Sequence, residues 1–384
     1  MLSQIIIAIT LGITLGIITG LIPGIHVNLV ALILLSISPY LPFTTIQLSI
    51  LIICCAITHS FLDSIPSIYL GAPDADQALS VLPGHRMLHK GQGHKAILYT
   101  LLGSLSCLIL GVSLFPLFIK LMSFYDLIRD YIAYILIAIM IYLIRDVSSL
   151  MMFLLSGLTG LVVLNLPLSN PLFHMLSGLF GLSILLLSTE STIPEQEHDT
   201  EMRFDPAPTA AATGVGFFAA FLPGFGSSQA AIIASSFVDV GDEGFLTLTG
   251  GINTANMLIS ILSVYALDKA RNGAIVAVRT FGEVDLDMML IFLAAAMITA
   301  GIATILGIKL SKVFCRFITK VNYKYLIYSI ISSIALLSFI FDGFLGLAVL
   351  THSAAVGILS AKKGVAKNNL MGCLIIPVII FFII

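Results

Sequence analysis

The chain has little charge and no tryptophan. Asp, Glu, Lys and Arg together make up 10% of its 384 residues. Soluble domains carry about a quarter. With 58% hydrophobic residues and a mean hydropathy of +1.09, a water-soluble core cannot hide this much apolar surface, so the chain is expected to cross the membrane many times. The net charge of −2 says nothing about partners, but there is no basic run of the nucleic-acid type, so no nucleic-acid partner is expected. Five cysteines, Cys54, Cys55, Cys107, Cys315 and Cys373, lie in or beside apolar segments and form no Cys-x-x-Cys, which reads as small buried side chains. The eight histidines show no His-x-x-x-His or His-Glu-x-x-His pair, so no metal and no other cofactor is expected. Gly224-Phe225-Gly226-Ser227-Ser228 lacks the lysine of a phosphate loop, which excludes nucleotide hydrolysis by this chain. No Lys or Arg precedes the apolar run that starts at Ile5, and the run is too long for a cleaved leader, so it reads as a retained membrane segment.

Apolar runs predict spans at 4–39, 46–70, 96–119, 131–144, 147–165, 172–189, 209–236, 245–267, 288–308, 325–341, 343–360 and 369–384. The first is interrupted at Pro23-Gly24, within Gly20-Leu21-Ile22-Pro23-Gly24-Ile25-His26-Val27-Asn28. Proline removes a backbone donor and glycine loosens the backbone, so the pair breaks a helix at membrane depth. The interruption recurs 200 residues later in Ala220-Phe221-Leu222-Pro223-Gly224-Phe225-Gly226-Ser227-Ser228-Gln229, and Gly16 and Gly216 match at the same offset. Two interrupted segments at corresponding places in two halves point to a transporter's binding site. The acidic, proline-containing stretch 190–208 separates the halves. The predicted organisation is therefore a first transmembrane repeat at 1–189, a linker at 190–208 and a second repeat at 209–384. Lys309, Lys312, Arg316, Lys320 and Lys324 mark one loop as cytoplasmic, which places the 268–287 loop outside and the basic 71–95 loop inside. Equivalent loops on opposite faces predict inverted repeats. The fold class is all-α, polytopic and transmembrane, with broken or re-entrant helices at Pro23-Gly24 and Pro223-Gly224.

A broken helix exposes backbone amides that attract an anion, and membranes tolerate such breaks where they line a cavity. Pro23, Gly24, Asn28, Pro223, Gly224, Gly226, Ser227 and Ser228 are therefore candidate ligands for a carboxylate; the alternative for the breaks is a simple kink. His26 could titrate near neutral pH or be an interfacial histidine. Asn253 and Asn256, a helical turn apart, can face one cavity or bond between helices. Asp63 lies in an apolar run, where an unpaired charge is costly, so it must be paired, protonated or ion-binding unless it lies near the membrane surface. It is the candidate coupling site for H⁺ or Na⁺. His59 and Asp63 form the one pair an intramembrane enzyme could use. A purely structural subunit is disfavoured by the duplicated breaks.

The first broken motif, the polar loop Gly71-Ala72-Pro73-Asp74-Ala75-Asp76 through Gly84-His85-Arg86-Met87-Leu88-His89-Lys90-Gly91-Gln92-Gly93-His94-Lys95-Ala96, and Pro223-Gly224-Phe225-Gly226 with Asn253 resemble the large membrane subunit of the tripartite tricarboxylate transporter family. Gly250-Gly251-Ile252 before Asn253, and Tyr265-Ala266-Leu267-Asp268-Lys269, depart from the family pattern and suggest a divergent, archaeal branch. The resemblance implies a permease that moves a small carboxylate across the cell membrane, coupled to an ion gradient. It also implies two partners, a small membrane subunit and an extracytoplasmic solute-binding protein. A homo-oligomer is left open, and so is a non-carboxylate solute.

Overall fold

The computed structural model describes residues 2–22, 26–71, 81–187, 193–197, 201–222, 226–238, 240–320 and 323–383. Both Pro-Gly pairs, and Ile25 and Phe225 beside them, lie outside these. The first half holds α1 (Leu2–Leu21), α2 (Val27–Ile37), α3 (Thr45–Leu62), α4 (Ser64–Leu70), α5 (Val81–Leu88) and α6 (Gly93–Ser113). It continues through α7 (Phe115–Met122), α8 (Tyr125–Arg129), α9 (Ile132–Leu143), α10 (Val147–Leu164), α11 (Pro171–Leu176), a π turn (Ser177–Leu182) and α12 (Ser183–Leu187). The second half holds α13 (Pro206–Ala219), α14 (Ser227–Ala234), α15 (Gly241–Leu267), α16 (Gly273–Thr280), α17 (Leu286–Ile318), α18 (Tyr323–Lys362) and α19 (Gly372–Ile383). Strands are absent among the described residues. Among the described residues, seven helices are long and apolar enough to cross a membrane, so the all-α, multi-pass membrane architecture is as expected.

Several boundaries follow from single residues. The span expected over 46–70 is interrupted at Asp63. Pro66 has no N–H to give the carbonyl of Leu62, and the helix resumes as α4. The expected division at 342–343 is a kink within α18, where Asp342 and Gly343 leave helical geometry. In contrast, α17 runs ten residues past the expected end at 308. Its 33 residues cover about 50 Å against a hydrocarbon core of about 30 Å. Lys309, Lys312 and Arg316 therefore ride on a helical extension.

Small residues let the central helices approach closely. A side-chain carbon on Gly12, Gly16 or Gly20 of α1 would come within 2.4–2.9 Å of α3 atoms. Those contacts advance together along both chains, from Leu51 through Thr58 to Leu62, so α1 and α3 run parallel. The return between them starts with α2, whose 11 residues cover about 17 Å. In the second half, α13 and α15 also run parallel, with Ala212 against Gly251 and Gly216 against Ala255. Ser64 meets Thr100 and Tyr69 meets Gly93, so α3–α4 and α6 are antiparallel. Thr299 bonds Cys54 and Ser311 meets Tyr69, which sets α17 parallel to α3. Gly250 sits on Thr100 and Gly111 on Leu258, which sets α15 parallel to α6. Helices α3 and α15 consequently point in opposite directions, as do α6 and α17. Both α3 and α15 are enclosed on all sides: 47–62 and most of 246–264 are buried. At one end, Arg86 and Lys95 form ion pairs with Asp242 and Glu243 in the first turn of α15.

Candidate functional site

The interruption at Asp63 and the middle of α15 meet where α2 and α16 begin. Asp63 is 4% exposed and Asn253 is 7% exposed, and Asn253 Nδ2 donates to Asp63 Oδ2 at 3.1 Å. Asn256 lies one turn further along α15. Of the alternatives open for Asp63, the structure shows it paired, and its partner is one of the two asparagines expected either to face a cavity or to bond between helices.

Two short helices close the site from the side. His26 caps α2, its Nδ1 accepting from the amide of Asn28 at 3.1 Å. Asn28 Oδ1 accepts the amide of Ala274 at 3.0 Å, which ties the start of α2 to the start of α16. Asn272 caps α16 through Oδ1, which accepts from the amide of Ile275 at 2.9 Å, and its Nδ2 rests on Met257 Sδ at 3.3 Å. The rings of His26 and His59 are 4.9 Å apart. His59 precedes Asp63 by one turn, and the amide of Asp63 donates to the carbonyl of His59.

These residues line a small cavity that is partly open to solvent. The polar lining is His26, Asn28, His59, Ser60, Asp63, Asn253, Asn256 and Asn272, over an apolar floor that includes Val27, Ala56 and Met257. Among the described residues it combines one carboxylate, four amides, two imidazoles and a hydroxyl, with no Lys or Arg. Amides suit either charge sign, donating through nitrogen or accepting through oxygen. Among the described residues, no three His, Cys, Asp or Glu side chains converge as metal ligands.

The structure thus joins Asn28, Asp63, Asn253 and Asn256 in one cavity and adds His26, His59 and Ser60. Asn272 was not singled out in the sequence; its one signal is an asparagine before a helix-starting glycine. Pro23, Gly24, Pro223 and Gly224 lie outside the described residues. Gly226 caps α14 and Ser227 is its first, buried residue, but neither lines this cavity. Ser228 lies in α14, and its side chain is outside the described set.

Over residues 6–372 the chain matches the model of the tripartite tricarboxylate transporter TctA family. It is 30% identical over 364 residues to an uncharacterized protein of Methanocaldococcus jannaschii, covering 90% of this chain and 89% of that one. No solved structure matches it. The family is one of transporters, and a tripartite transporter implies a solute-binding protein and a small membrane subunit beside the permease. A match over nearly the whole length, an archaeal relative and a helical, multi-pass architecture agree: this chain belongs to the tripartite tricarboxylate transporter TctA family.

Proposed function

We propose that this permease carries a small carboxylate-bearing solute across the cell membrane, coupled to a H⁺ or Na⁺ gradient, through the cavity between α2, α3, α15 and α16. The observation that carries the reading is the Asp63–Asn253 pair at the interruption of a central helix, inside a cavity with three further amides. Asp63 is the coupling residue. Asn28, Asn253, Asn256 and Asn272 are the polar ligands of the solute. Two inverted repeats, 1–189 and 209–384 joined by 190–208, would exchange the cavity's access between the two sides. The opposed directions of α3 and α15, and of α6 and α17, support that arrangement. The breaks at Pro23-Gly24 and Pro223-Gly224, with Gly226, Ser227 and Ser228, belong to the same proposal as exposed-backbone ligands.

The test is uptake by purified protein in liposomes, with labelled di- and tricarboxylates and imposed Na⁺ or pH gradients. Asp63→Asn keeps the shape of the pair, because Asn253 can still donate to an amide oxygen. It is expected to abolish gradient-driven accumulation while leaving exchange. Undiminished accumulation by this variant removes Asp63 from the coupling step. The absence of Lys and Arg from the lining favours one second reading, a neutral solute; competition by unlabelled acids separates the two.

A further inference from the structure

A carboxylate solute entering a cavity that already holds Asp63 gains from a permanent cation nearby, and the described lining has no Lys or Arg. The nearest in sequence is Arg271, directly before Asn272. Its guanidinium carbon lies 4.6 Å from the centre of the Tyr125 ring and 5.0 Å from that of Phe221. Lys269 Nζ lies 4.3 Å from the centre of the same Tyr125 ring. The aromatic platform is fixed from behind, since Phe217 packs edge-on to Phe221 at 5.1 Å and Phe118 stacks on Phe217 at 4.7 Å. Stacking uses the faces of a guanidinium and leaves its N–H edge for a ligand. In Arg271, Nε and Nη2 on that edge are buried and have no hydrogen-bond partner among the described residues. Buried polar groups are almost always bonded, and a permanently charged one left unbonded is the strongest exception. Nε with one Nη forms the fork that matches the two oxygens of a carboxylate.

We propose that Arg271, resting on Tyr125 and Phe221, is the carboxylate-binding cation of the transport path, an anion subsite next to the amide-lined cavity. Lys269 adds charge to the same platform. The inference rests on the carrier reading above and deepens it: the solute bears at least one ionised carboxyl, recognised in a bidentate manner, while the asparagines take the rest of the molecule.

The test is a thermal-shift and binding titration of the full chain in neutral detergent, with succinate and citrate as probes, on wild type, Arg271→Gln, Arg271→Lys and Asn253→Ala. Arg271→Gln removes an unbonded buried charge but also its contacts with the two rings, so its melting temperature without ligand is measured first, as the guard against misfolding. With an acid present it should bind about 10- to 100-fold more weakly. Arg271→Lys, which keeps the charge but loses the fork, should recover only part of this. Equal binding by wild type and Arg271→Gln, with loss in Asn253→Ala, overturns the Arg271 assignment and leaves the cavity reading standing. Loss in Arg271→Gln with none in Asn253→Ala supports Arg271 and removes Asn253. An anionic lipid could supply similar chemistry, so phosphatidylglycerol is titrated in parallel. A shift of wild type by the lipid and by neither acid, absent in Arg271→Gln, overturns the solute assignment. No shift of wild type by any of these anions overturns both readings.

Discussion

The contact between Asn28 and Gly273 tests how the cavity is closed. Gly273 is the first residue of α16, and its backbone is outside the left-handed region, so alanine meets no conformational strain there. The obstacle is steric. A side-chain carbon at 273 would lie 2.8 Å from Asn28 Cγ and 2.9 Å from its Oδ1. Relieving this moves the amide by about 0.6 Å, enough to break the 3.0 Å bond from Ala274 to Asn28 Oδ1. A lost neutral hydrogen bond that leaves a buried N–H unmet costs about 1–3 kcal/mol. Alanine returns less than about 1 kcal/mol of helix propensity at a first position. Gly273→Ala should therefore cost about 1–2 kcal/mol, roughly a 5- to 30-fold change in equilibrium constant. Asn28→Ala should cost a similar amount by removing the same bond. In the double variant the two close atoms are gone, only Cβ of residue 28 remains at 3.0 Å, and the second substitution should be nearly free. Chaotrope unfolding of all four proteins in one detergent gives the coupling energy, expected above about 1 kcal/mol. Strict additivity would refute the claim that the Asn28 amide joins α2 to α16.

Exchanging the pair, Asp63→Asn with Asn253→Asp, moves the carboxylate onto α15 and keeps one donor facing one acceptor; uptake in liposomes should recover relative to Asn253→Asp alone, where two carboxylates meet. Gly103→Ala should abolish folded protein, because its new carbon would lie 2.0 Å from the carbonyl of Thr247 on α15; a monodisperse wild-type-like elution profile would contradict that packing. His85, on the two-turn helix α5 between spans, is pushed down to about 4 by burial and then by the neighbouring His89. An unfolded histidine takes up its proton near 6.5, so stability is intact above that pH and falls as pH drops toward 4. The loss should reach about 2 kcal/mol at pH 5, and a melting profile in detergent should flatten in His85→Gln; an unchanged slope would show that His85 is solvated.

Legibility followed burial. Both central helices are enclosed on all faces, so their residues carry no amphipathic rhythm, and only their polar exceptions stand out. Asp63, Asn253 and Asn256 were visible for that reason, and the turn spacing of the two asparagines lets both reach one cavity while Asn253 also bonds to Asp63. The starts of α2 and α14 just past the two Pro-Gly pairs were readable from backbone chemistry alone. Asn272 and Arg271 were not, because a loop residue becomes functional through what folds against it. Nothing along the chain brings Arg271 to Tyr125 and Phe221, which lie 146 and 50 positions earlier. The overrun of α17 was missed because a basic residue marks the edge of the membrane but does not stop a helix.

The enclosure of α15 bears on how the protein is made. It is the least apolar of the seven long helices, with a mean hydropathy of 1.4, and it carries two asparagines near its middle. Presented alone to the insertion machinery, such a segment partitions weakly into lipid, whereas α17, at 2.4, enters readily. α15 emerges from the ribosome long after α6, whose small residues fit against it, and before α17. The earlier helix waiting at the exit offers it a packing partner, so a lesion in α6 is expected to show itself first as a failure of α15 to integrate.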